Sequence, residues 1–128
     1  MNNRFENKPR VYLAGPLTAS HPLGYIYNIA QMENVAVELW KRGYPCFVPG
    51  EDFLRLLVFC AGNERPDLRD VYDNSMEWLK VCDVVYVVGG ELESKGVRAE
   101  IEKANELGIP VVRSISELEE LTNAIHSK

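Results

Sequence analysis

The run Glu93-Ser94-Lys95-Gly96-Val97-Arg98-Ala99-Glu100 places a hydroxyl, a glycine and a carboxylate at the opening of a helix. Ser94 is a residue type that caps helix N-termini, and the backbone N–H groups of Lys95, Gly96 and Val97 would then point outward without intrahelical partners. Such a helix end holds an anion or a hydroxyl group, and Gly96 lets a ligand approach closely. Along the same helix Val97, Ile101, Ala104 and Leu107 form an apolar stripe, whereas Glu102, Lys103, Asn105 and Glu106 lie on the polar side. Glu100 falls within the apolar stripe. A carboxylate on an inward face is costly to bury unless it is hydrogen-bonded or used. Two readings fit this spacing: a boundary glutamate that turns outward or accepts a structural hydrogen bond, and an acid placed for chemistry.

The elements that must position this run alternate along the chain. Arg10 to Ala14 is a short apolar run stopped by Gly15-Pro16, which reads as a buried strand. From about Tyr25 to Arg42, Ile29, Met32, Val35, Ala36, Leu39 and Trp40 recur at helical spacing, and Gly43 ends the pattern. Tyr44 to Val48 is a second strand broken by the turn residues Pro49-Gly50. Asp52 to Cys60 suits a short helix, and residues 61–66 form a turn-rich loop with the character of a lid. A helix over Asp70 to Val81 leads into Asp83 to Val88, the most strand-like run in the chain. Gly89-Gly90 breaks that strand, Ser94 to Leu107 is a helix stopped by Gly108, Ile109 to Val112 is a fourth strand, and Ile115 to Ile125 is a last helix. This alternation implies right-handed crossovers and a doubly wound α/β architecture, Rossmann-like or flavodoxin-like, with four to five parallel strands and helices on both faces. Ligands bind beyond the carboxyl ends of such strands, so the loops after Ala14, Val48 and Val88 are the expected site.

Composition narrows the function classes. The 128 residues suit a single domain over residues 1–128, with the polar first nine residues expected to be flexible. A net charge of -5 and the lack of any Lys/Arg stripe argue against duplex nucleic acid as a partner. Cys46, Cys60 and Cys82 are widely spaced in apolar surroundings, with no Cys-x-x-Cys pair and no nearby His, so reduced core thiols are expected and no metal site. The N-terminal residues have no apolar core of a secretion signal and no window reaches membrane-span length, so a cytoplasmic protein without membrane contact is expected. Trp40 and Trp78 read as core anchors on helical apolar faces. His21 is a solvated loop histidine, His126 belongs to the tail, and Glu117, Glu119 and Glu120 form a solvated helix face.

Tyr12 and Gly15 in Val-Tyr-Leu-Ala-Gly-Pro, together with Ser94, Gly96 and Glu100, resemble the nucleoside 2-deoxyribosyltransferase and 2'-deoxynucleoside 5'-monophosphate N-hydrolase superfamily. The strand start Cys82-Asp83 extends the likeness to uncharacterised phage and bacterial relatives of that superfamily, and the element order matches from Val11 to Val112. The resemblance implies an enzyme, without metal or organic cofactor, that hydrolyses or transfers at the N-glycosidic bond of a nucleoside or its 5'-monophosphate. By the same resemblance Glu100 is the nucleophile, Tyr12 orients it, Ser94 and the Gly96 backbone hold the 5' end of the substrate, and the Gly15-Pro16 turn lies against the sugar or its phosphate. Pockets built at subunit contacts in that superfamily imply a homodimer or larger assembly. Two positions depart from the pattern. Ser75 stands three residues before Trp78 where the hydrolase branch has an acidic Asp, leaving the general acid unassigned, and Thr18 stands near the position of a phosphate-gripping Arg, with only Lys95 and Arg98 close by. A rival class follows from these departures: a non-catalytic nucleotide-sensing module in which Glu100 hydrogen-bonds a ribose.

Overall fold

In the computed structural model, which describes residues 3–17, 19–54 and 67–126, β1 (Val11–Ala14) is buried at every position. It can be apolar throughout because both of its faces are covered by helices. The chain continues through α1 (Pro22–Lys41), β2 (Cys46–Phe47), α2 (Pro49–Leu54), α3 (Leu68–Leu79), β3 (Val84–Val87), α4 (Lys95–Leu107), β4 (Val111–Val112) and α5 (Ile115–His126). The four strands form one parallel sheet in the order β2-β1-β3-β4. This is the α/β class expected, with the flavodoxin-like strand order.

The pleat divides the core in two. Val11 and Leu13 of β1 and Val84 and Tyr86 of β3 turn to one face, where Met32, Ala36 and Leu39 of α1 and Leu118 of α5 cover them. Tyr12, Ala14, Val85 and Val87 turn to the other face, against Leu79 of α3 and Val97 and Ala104 of α4. Glu100 belongs to this second face.

Several element bounds differ from expectation for identifiable reasons. Strands β2 and β4 are two residues each, because Pro45 and Pro110 have no N–H to add to the ladder. Their carbonyls still accept, from Val11 N–H at 2.9 Å and from Val85 N–H at 2.9 Å. Pro49-Gly50 opens α2 instead of forming the turn expected after the second strand, since proline suits the first turn of a helix, and α1 likewise starts at Pro22, ahead of the expected Tyr25. The rest of the expected 52–60 helix and the 61–66 loop lie outside the described residues. Helix α3 starts earlier than expected because Asp67 caps it, its carboxylate accepting from Arg69 N–H at 3.0 Å. Gly108 ends α4 in the left-handed conformation, φ 73°, as its position after Leu107 predicts.

The two tryptophans are not core anchors. Trp40 is 57% exposed and Trp78 is 52% exposed. Trp40 sits one residue past the buried Leu39, about 100° round the helix, and meets Phe5 edge-on. Trp78 precedes the buried Leu79 and lies beside the short edge strand β2, which is too small to cover it. It stacks on Phe47 with ring centroids 5.8 Å apart, and Phe47 stacks on Tyr12 at 5.6 Å. Leu107, expected in the apolar stripe of α4, is also half exposed; the stripe ends at Ala104.

Candidate active site

The chain leaving β1 enters α1 on one face of the sheet, and the chain leaving β3 enters α4 on the other. Loops that diverge in this way from adjacent parallel strands open a crevice at their carboxyl ends. Two glycines shape it. Gly90 adopts φ 82°, and a Cβ there would come within 2.9 Å of the Pro16 ring, so the loops after β1 and β3 interlock only if this residue has no side chain. At Gly15 a Cβ would lie 3.0 Å from Met32 of α1, so the missing side chain there serves the packing of α1 against the end of β1.

In this crevice lies a cavity of about 620 Å³, within the range of small-molecule sites. Tyr12, Gly15, Pro16, Ser94, Gly96 and Glu100, the residues singled out from the sequence, all line it. Glu100 is 8% exposed and Tyr12 is fully buried. The Tyr12 hydroxyl donates a hydrogen bond to one Glu100 carboxylate oxygen; the other oxygen makes no hydrogen bond among the described residues. Burial pushes the Glu100 carboxyl up to about 7, and the Tyr12 hydrogen bond pulls in the opposite direction. Burial first, then the charge and hydrogen bonding of Glu100, hold the Tyr12 phenol well above its ordinary value, so it remains a donor at every physiological pH. Stacking on Phe47 fixes the plane of the Tyr12 ring and hence the direction of that donor. The pair therefore presents a buried, oriented carboxylate that loses its proton near neutrality, a state suited to nucleophilic or general-base chemistry.

The opposite rim is the start of α4. Ser94 caps it as its type predicts, its hydroxyl accepting from Val97 N–H at 3.2 Å. Lys95 and Gly96 N–H groups remain at the first turn without intrahelical partners, an arrangement able to hold an anion or a hydroxyl group. A Cβ at Gly96 would meet nothing closer than the Ser94 hydroxyl, 3.8 Å away. The Arg98 guanidinium is engaged elsewhere: it donates to the Leu92 carbonyl at 2.7 Å, and Arg98 does not line the cavity. Lys95 is thus the cation of the lining among the described residues. Thr18 lies outside the described residues.

The third wall was not legible from sequence. Tyr25 of α1, Pro49 of α2, and Val71, Tyr72 and Ser75 of α3 complete the lining. Ser75 is buried at the cavity wall. Val71, Tyr72 and Ser75 recur at i, i+1 and i+4, so a single helix face offers them together; this spacing was the available signal. Asp83 has a structural role: its carboxylate accepts from Arg10 N–H at 2.7 Å, and its N–H donates to the Arg10 carbonyl at 2.8 Å, fastening β3 to β1 at the end away from the cavity. Burial raises the Cys46 and Cys82 thiols to about 11, which makes both unreactive. Among the described residues no His, Cys, Asp and Glu cluster suits a metal, and no helix is long and apolar enough to cross a membrane.

A family model described as a domain of unknown function, DUF7768, matches residues 9–114. The chain belongs to that family. No curated protein matches this DUF7768 chain. Among solved structures it is similar to the 2-deoxyribosyltransferase of the psychrotolerant bacterium Bacillus psychrosaccharolyticus, an enzyme described as a biocatalyst for the synthesis of antiviral and antitumoral nucleosides. That match has 25% sequence identity and a TM-score of 0.53, and covers 80% of this chain and 69% of the other. It establishes a distant fold relationship to a nucleoside-processing enzyme.

Proposed function

We propose that this DUF7768 chain cleaves or exchanges the N-glycosidic bond of a nucleoside or nucleoside 5'-monophosphate, with Glu100 as the nucleophile. One observation carries the reading: a buried carboxylate, oriented by a buried tyrosine, forms the wall of a nucleoside-sized cavity at the β1/β3 switch point. The fold relationship to a 2-deoxyribosyltransferase supports it.

A Glu100 oxygen adds to the anomeric carbon of the sugar as the carbon–nitrogen bond breaks, and the bonding pair leaves with the base, which takes up a proton. The Tyr12 hydroxyl holds the second oxygen and keeps the attacking one aimed. The glycosyl ester then yields to water, giving free sugar, or to a second base, giving a new nucleoside. Either route restores the Glu100 carboxylate and the starting configuration at carbon. The first turn of α4, with Lys95 and the open space over Gly96, receives the 5' hydroxyl or phosphate.

A second reading, binding without turnover, is favoured by Ser75, a hydroxyl where a carboxylic acid would assist the departing base. The two separate on turnover. Purified protein incubated with a panel of nucleosides and monophosphates should release free base, and an excess of a second base should yield the exchanged nucleoside if transfer operates. Glu100→Ala should abolish both. Saturable binding with no base release by the unaltered protein would establish the sensing module instead.

A further inference from the structure

On the premise that Glu100 attacks a nucleoside sugar, the cavity must hold the departing base, and the α3 wall has the chemistry for it. The α4 end of the cavity offers backbone N–H groups and an ammonium, suited to hydroxyl or phosphate oxygens. The α3 wall offers the aromatic ring of Tyr72, the apolar Val71 and the hydroxyls of Tyr72 and Ser75. A nucleobase is flat, with polarisable faces and a polar edge, and matches a ring with hydroxyls beside it.

Both hydroxyls are uncommitted within the fold. Ser75 is only 5% exposed, yet neither it nor Tyr72 forms a side-chain hydrogen bond among the described residues. A helical serine can return its proton to the carbonyl four residues back, as Thr122 does to Leu118 at 2.8 Å; Ser75 does not. No buried side-chain nitrogen or oxygen lacks a partner among the described residues, so the Ser75 hydroxyl is open to the cavity, where a ligand can supply its partner. Tyr72 also lies within the electrostatic reach of Glu100: burial, then the Glu100 charge, raises its phenol above the ordinary value. It therefore stays protonated and able to donate beside the attacking carboxylate.

We propose that Tyr72 and Ser75 form the subsite for the leaving base, the Tyr72 ring stacking on it and the two hydroxyls hydrogen-bonding its edge. The pair determines which base is accepted and steadies the nitrogen end of the breaking bond without a carboxylic acid.

Free adenine, hypoxanthine, cytosine and thymine titrated into the protein by calorimetry test this directly. At least one should bind, and Glu100→Ala should retain that binding. Tyr72→Phe should weaken it about fivefold through the lost hydrogen bond, and Tyr72→Ala roughly thirtyfold through the lost stacking surface. Ser75→Ala should weaken it about fivefold and alter the order of preference among the bases. No base binding, or unchanged affinity in both Tyr72→Ala and Ser75→Ala, overturns the subsite. Base binding without turnover on any nucleoside would sink the glycosidic reading and leave the subsite standing. Turnover with unchanged base affinity in these variants would do the reverse.

Discussion

At residue scale the proposed chemistry rests on one hydrogen bond, between side chains 88 positions apart in sequence. Because that bond favours the ionised carboxylate, its loss must raise the Glu100 pKa further. Tyr12→Phe should therefore move the ascending limb of the kcat/KM profile from near pH 7 to higher pH, and a carboxyl-carbon NMR titration of Glu100 should report the same displacement. An unmoved limb would show that Tyr12 does not govern this proton. The same group links activity to stability. Its folded pKa, about 7, lies above the ordinary 4.5, so the folded state holds the proton longer and stability falls as pH rises through that window. Glu100→Gln keeps an acceptor for Tyr12 and removes the charge. At about pH 9 it should be more stable than the unaltered protein by about 1–3 kcal/mol in urea unfolding, with the difference closing towards about pH 5.

Among the elements, α4 has conflicting demands at its first turn. Ser94 supplies the cap, but Gly96 two positions on weakens a helix by about 0.5–1 kcal/mol relative to alanine. Neither backbone nor packing requires it: its φ is ordinary and a Cβ would make only an ordinary van der Waals contact, with the Ser94 hydroxyl at 3.8 Å. Gly96→Ala should accordingly raise the unfolding free energy by about 0.5–1 kcal/mol, while raising KM for the substrate because the added methyl group occupies the cavity. A gain in stability with no change in KM would place the ligand elsewhere. The sequence made this helix legible, since cap, stripe and stop are all local. It did not reveal the binding face of α3, whose Val71, Tyr72 and Ser75 resemble any half-buried helix face until the neighbouring elements are in place.

For the whole molecule, the two-faced sheet leaves an apolar stripe exposed at the start of α1, where Leu23, Ile26 and Tyr27 are each more than half exposed. They recur at i, i+3 and i+4 beside Tyr25, which lines the cavity. An exposed stripe of this kind next to a ligand site is the face expected to meet a second copy of the chain. Sedimentation equilibrium should find a dimer or larger species, and Tyr27→Glu should shift it towards monomer; a monomeric unaltered protein at the same concentration removes the expectation.

The linear sequence determined what depends on neighbours in the chain. The alternation of apolar runs with helical stripes and turn residues specified a doubly wound α/β sheet, and the placement of Glu100 among Val97 and Ala104 put a carboxylate within an apolar stripe without deciding whether it turns inward or outward. Periodicity and capping act over a few residues, so one chain suffices to read them. Only the tertiary structure decided the rest: that Tyr12 meets Glu100, that Gly15 makes room for Met32, that Arg98 turns to the Leu92 carbonyl, and that Trp78 stays exposed. Each of those depends on which elements become neighbours across the sheet, a relation set by the packing of distant segments and invisible to any local pattern.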